Sequence, residues 1–78
     1  MKVVVSNPAR VLFEKDADKV FLPLKSGEVS VLPGHTPMVG VLKEGDIRCF
    51  SAEGEDSIHI SKGIVMVKAD KVEVLSRH

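Results

Sequence analysis

His35 is the side chain in this sequence best placed to move a proton near neutrality, because imidazole titrates there and this one sits in the constrained stretch Leu32-Pro33-Gly34-His35-Thr36-Pro37. Catalysis would need a partner for it, and no acid, base and nucleophile are spaced as a recognisable trio. Ser30 and Ser61 are available hydroxyls, yet neither lies in a G-x-S-x-G elbow, and both read as strand-end serines. The better account of the histidine is conformational. Leu32-Pro33-Gly34-His35 fits a type II turn, with proline fixing φ at the second position and glycine supplying a positive φ at the third, while Thr36 before Pro37 is pushed extended. His35 is then a loop or interface residue.

Metal chemistry is equally short of ligands. His35, His59 and His78 are far apart in sequence, and neither C-x-x-C nor H-E-x-x-H accompanies them. Cys49 is the only cysteine, which excludes an internal disulfide and a thiolate cluster. Its alternation with Ile47 across Arg48 marks it as a small core residue, inert when buried. The acidic stretch from Glu53 to Asp56 lacks the alternating ligands of a calcium loop and reads as a solvated hairpin tip. There is no GxxxxGK[ST] loop and no GxGxxG, so nucleotide phosphates have no cradle. The expected absence of catalytic residues, cofactor and metal leaves a binding or structural role.

The elements that must hold these residues are strands. Short apolar runs recur about every eight to twelve residues, the spacing of a sandwich or barrel. They are Val3 to Val5, Arg10 to Glu14, Lys19 to Leu24, Val29 to Leu32, Ile47 to Ser51, Ser57 to Ser61, Ile64 to Lys68 and Val72 to Leu75. Ile58 and Ile60 alternate with His59, and Val72 and Val74 with Glu73, so each run has one buried and one wet face. No window carries a helical repeat free of Pro or Gly. Pro23 should place its strand at a sheet edge or bulge. The stretch from Gly27 to Arg48, with two prolines and four glycines, reads as a rigid loop on this scaffold. The expected fold is all-β, two antiparallel sheets closed on each other, as one domain over residues 1–78.

Composition narrows the partners. Eleven basic and eleven acidic residues leave no long-range field, and three Phe with no Tyr or Trp offer few stacking surfaces, so nucleic acid is disfavoured. MKVVVSNPAR is too short in apolar residues for a signal peptide, and no aliphatic run approaches a membrane span. A reducing, cytoplasmic setting is expected. In 78 residues the core is small, so a partner surface contributing to stability is plausible from size alone.

Five segments in order carry a resemblance. Asn7-Pro8-Ala9-Arg10-Val11-Leu12-Phe13-Glu14 is similar to the opening T-P-E-x-x-L-F-E of the N-terminal β-sandwich of the ε subunit of F-type ATP synthase, called δ in mitochondria. Val20-Phe21-Leu22-Pro23 follows as V-x-L-P. Gly27 to Pro37, GEVSVLPGHTP, resembles G-E-[FL]-G-I-L-P-G-H-A-P. Leu42 to Arg48 and Ile60 to Val67 resemble L-K-P-G-x-I-R and x-S-G-G-x-x-E-V. Departures are Ser30 for a glycine, Lys62 for the first glycine of the pair and Met66 for the glutamate.

The resemblance implies a flattened ten-stranded barrel of two five-stranded antiparallel sheets, in a non-catalytic rotor subunit that couples γ to the c-ring during proton- or sodium-driven ATP synthesis. It implies γ-facing positions at Asn7, Pro33, Gly34, His35, Pro37 and Gly40, and c-ring-facing positions at Lys25, Ser26, Gly27, Glu28 and Val29. Partners would be γ and the c-ring, with α and β indirectly. The location implied is the cytoplasmic face of the cell membrane, peripheral through the complex. The family's helical hairpin would begin where this sequence stops, so its inhibitory and nucleotide-binding activities are not expected here. The competing reading is a free-standing ligand-binding sandwich, or a lipoyl- or biotinyl-like carrier modified at Lys71 in Ala69-Asp70-Lys71. Carriers place that lysine near mid-chain, whereas Lys71 lies seven residues from the end.

Overall fold

Alternation decides which side of each strand turns inward. In β1 (Lys2–Ser6) Val3 and Val5 are wholly buried between the exposed Lys2 and the half-buried Val4 and Ser6. The computed structural model describes residues 1–77, and there eight further strands follow. They are β2 (Val11–Asp16), β3 (Lys19–Leu24), β4 (Gly27–Val31), β5 (Met38–Leu42), β6 (Gly45–Ser51), β7 (Gly54–Ile60), β8 (Gly63–Val67) and β9 (Lys71–Ser76). No helix occurs among the described residues.

One layer runs in the order β2-β1-β9-β8-β5 and the other places β4, β3, β6 and β7 side by side. A single backbone pairing, Leu24 with Leu42, joins them. Inward-facing Val3, Val5, Val65, Val72 and Val74 of the first layer meet Val20, Leu22, Val31, Ile47 and Cys49 of the second in one core. Each fully buried aliphatic side chain contributes about 1.5–3 kcal/mol by leaving water.

Three sequence expectations need correction. Among the described residues the strands number nine, in layers of five and four, and β1 pairs parallel with β9 while the other pairings are antiparallel. Residues 32–37 add no strand because Pro33 and Pro37 have no N–H to give a ladder. The supposed loop from Gly27 to Arg48 is mostly strand: it holds β4, β5 and the start of β6, and only residues 32–37 form an extended connection. β5 escaped notice because what makes it a strand is its distant partner, β8, in the register Met38 to Val67 through Leu42 to Gly63. Finally, Pro23 is buried within β3, not on an edge. It sits where β3 leaves β6, paired only as far as Phe21, and before it meets β5 at Leu24, so its missing donor falls in a gap between partners.

The type II turn is present as expected. Gly34 has φ of 84°, and the His35 N–H donates to the Leu32 carbonyl at 3.1 Å. The turn is tied to the β8–β9 connection by the Gly34 N–H, which donates to the Ala69 carbonyl at 2.7 Å.

Candidate docking face

The two outer faces of the sandwich differ in chemistry. On the four-stranded layer, Arg48 lies over the rings of Phe21 and Phe50 at 4.7 and 5.7 Å from their centroids, with Lys19 5.2 Å from Phe21. The two rings meet edge to face at 5.4 Å. Asp46 faces His59 across the β6–β7 ladder. That face covers its own apolar surface with cations and pairs its charges.

The outer face of the five-stranded layer is divided along its length. Toward one end, Lys2 pairs with Glu14 at 3.0 Å and Lys68 with Glu73 at 2.7 Å. Toward the other, Val39, Val41, Ile64, Met66 and Leu75 keep between 44% and 67% of their surface exposed. The ladder makes these residues neighbours, since Val39 stands opposite Met66, Val41 opposite Ile64, and Ile64 opposite Leu75. Val11, opposite Ser6, continues the stripe on β2. Contiguous exposed apolar surface of this kind marks a candidate interaction face.

Sequence reasoning missed these residues, although a signal was there. Ile64 to Val67 is apolar at four successive positions, and alternation puts Val65 and Val67 in the core and Ile64 and Met66 outside it. A strand apolar on both faces is covered on both.

The positions assigned from the resemblance fall in three places. Pro33, Gly34, His35 and Pro37 lie together in the β4–β5 turn, where the His35 Nδ1–H donates to the Thr36 carbonyl at 2.6 Å. Asn7 lies at the opposite end of the same layer, its Oδ1 accepting from the N–H groups of Ala9 and Arg10 at 2.8 and 2.9 Å, which closes the β1–β2 connection. Gly40 is in β5, between these two ends, but the side chain it lacks would point inward: a Cβ there would come 3.0 Å from Leu24 Cδ2. Any contact it makes on the outer face is through backbone.

Lys25, Ser26, Gly27, Glu28 and Val29 are contiguous at the β3–β4 hairpin. The turn is at Lys25-Ser26, between the paired Leu24 and Gly27. Gly27 has φ of 130°, which side-chain-bearing residues rarely adopt, and that fixes how the hairpin is aimed. Glu28 is exposed, with its carboxylate 3.9 Å from Arg48, while Val29 packs against the core.

Nothing in the described residues assembles a reaction centre. No group of three or more His, Cys, Asp or Glu is placed to hold a metal, and His78 lies outside the described residues. Cys49 is buried, and loss of solvation pushes its thiol up to about 11, with Asp56 adding to the effect. Lys71 is in β9, half-buried, with its ammonium 3.9 Å from Glu73, and the turn before it is closed by the Lys68 N–H donating to the Lys71 carbonyl. A carrier lysine has to swing free at a tip, which Lys71 does not.

His59 provides one titratable marker. Its Nδ1 is 2.7 Å from Asp46 Oδ1 and its Nε2 is 3.3 Å from Glu44 Oε2, and these hydrogen bonds, Asp46 first, raise the imidazole above its ordinary 6.5. A raised folded-state value means the contact stabilises fully below about pH 6.5 and fades as pH climbs through the folded value. An NMR titration of the His59 ring should show a midpoint above 6.5, and Asp46→Asn should return most of the shift. A midpoint unmoved by that change would disprove the pairing.

The described residues thus form a β-sandwich that carries an exposed apolar stripe on one outer face. A family model for the β-sandwich domain of the ATP synthase delta/epsilon chain matches residues 1–78, and the chain belongs to that family. It is 38% identical over 77 residues to the ATP synthase epsilon chain of Bordetella avium, covering 97% of this chain and 55% of that one. With the epsilon chain of Anoxybacillus flavithermus the identity is 35% over 77 residues, covering 99% and 58%. The chain thus spans somewhat more than half the length of these relatives. Among solved structures it superposes with a TM-score of 0.86 and 22% identity on a chain of the Euglena gracilis mitochondrial ATP synthase OSCP/F1/c-ring assembly, covering 97% of this chain and 49% of that one. A chain from the Tetrahymena thermophila mitochondrial ATP synthase central stalk and c-ring gives 0.78 at 14% identity, covering 100% and 63%.

Proposed function

We propose that this domain is a non-catalytic part of the central stalk of an F-type ATP synthase, where it couples γ to the c-ring during ion-driven ATP synthesis. The observation that carries the reading is the apolar stripe of β5, β8 and β9, placed on an otherwise ion-paired face. It supplies the centre of a lasting contact with γ, flanked by Asn7 at one end and by Pro33, Gly34, His35 and Pro37 at the other. The β3–β4 hairpin from Lys25 to Val29 presents polar groups suited to polar, individually weak contacts with the c-ring loops. Proline and hydrogen-bonded turns keep these surfaces rigid, so little entropy is lost on docking. The domain would lie peripherally on the cytoplasmic face of the membrane, held there by the complex, with α and β as indirect partners.

The test is recovery of tagged chain from its native membranes, with mass spectrometry of what stays bound. Co-recovery of γ, c, α and β is expected, with weaker recovery for His35→Ala or Glu28→Ala. If the chain came down alone from membranes shown to hold intact ATP synthase, the proposal would fail.

A further inference from the structure

The apolar stripe does not end flush with the sheet. Beside the ends of β5 and β8 it opens into a groove of about 490 Å³, with Val41, Ile64 and Leu75 on its floor and Lys25, Lys62 and Arg77 on its rim. No carboxylate lines it. Among the described residues none of these three cations takes part in a salt bridge, whereas Lys2, Arg48, Lys68 and Lys71 on the two outer faces each have a carboxylate within 3.9 Å. The rim is held in place by backbone: the Arg77 N–H donates to the Lys62 carbonyl at 3.0 Å, and the Lys25 N–H to the Val41 carbonyl at 2.8 Å.

We infer that the groove seats an acidic amphipathic segment of the stalk partner, its apolar side chains on Val41, Ile64 and Leu75 and its carboxylates against Lys25, Lys62 and Arg77. The inference rests on the docking function proposed above and gives it a chemical rule. An apolar floor continuous with a stripe that spans β5, β8 and β9 suits a length of polypeptide better than a single lipid headgroup. The three cations set the segment's register and speed its approach, while the floor supplies the contact area. A partner without carboxylates at that place would leave the rim charges facing an apolar surface, so the rim also selects.

The probe is the purified γ subunit of the same complex, with affinity measured across a salt series. Lys62→Glu combined with Arg77→Glu should weaken binding tenfold or more and flatten the salt dependence, and Lys62→Gln with Arg77→Gln should fall between, with circular dichroism confirming that each variant is folded. Wild type that binds γ while both variants bind equally well, with the same salt dependence, overturns the groove assignment and leaves the docking function standing. Wild type that fails to bind γ at all overturns both. A third arm uses vesicles containing phosphatidylglycerol: loss of vesicle binding in the reversed variant with γ affinity unchanged would give the groove to the membrane instead and overturn the assignment to protein.

Discussion

Ile64→Asp is expected to weaken docking to γ by about 30-fold or more while the domain stays folded. Ile64 is in the middle of the stripe, between Val41 on β5 and Leu75 on β9, and about half its surface is free. A carboxylate at the centre of a dry contact must shed its water without a partner, and central positions of this kind cost about 2 kcal/mol or more when disrupted. That corresponds to about 30-fold in Kd. In the free domain the same side chain faces water, so the cost to folding is confined to the poor strand propensity of aspartate, within about 1 kcal/mol. Surface plasmon resonance on immobilised γ, with a thermal melt of the variant alongside, separates the two. Undiminished binding by a folded variant would show that the stripe is not the docking face.

The largest loss of stability should come from Leu22→Ala. Leu22 is on β3, wholly buried where the two layers meet, and truncating it removes transfer energy and leaves a cavity that stiff neighbouring strands cannot close. Such changes cost about 2–5 kcal/mol. A chain of 78 residues has a total margin of about 4–12 kcal/mol at typical stability per residue. The variant should therefore melt about 10–30 °C lower, or fail to fold at 37 °C. Urea unfolding followed by circular dichroism measures the loss directly. A cost under about 1 kcal/mol would mean that Leu22 is not locked between the layers in the way its burial indicates.

Local chemistry made much of this legible. The Leu32 to His35 turn was fixed by a proline and a glycine in adjacent positions, and the inward sides of β7 and β9 by alternation alone. What stayed hidden depends on distant partners. β5 carries Gly40 and follows Pro37, so it reads as loop until β8 pairs with it. The parallel contact of β1 with β9 joins residues some seventy positions apart, and no local pattern encodes it. The bond between His59 and Asp46 arises because the β6–β7 register sets them opposite each other. The resemblance pointed to Asn7 and the His35 turn, on either side of the exposed stripe, while the stripe itself was written in the apolar run of β8, read only as a strand, and in that of β5, read as loop.

The position of β9 has a consequence for biogenesis. It is the middle strand of its layer, hydrogen-bonded to β1 on one side and β8 on the other, yet it leaves the ribosome after the other eight described strands. Until it emerges, β1 with β2 and β8 with β5 are separate ribbons with bare edges, and the strip carrying Ile64 has no Leu75 beside it. Closure must then wait on contacts between β1 and β9, which are far apart in sequence, the kind that slow folding most. A nascent or clipped domain accordingly presents no finished stripe, so any docking through that stripe is open only to domains in which all of these strands are in place.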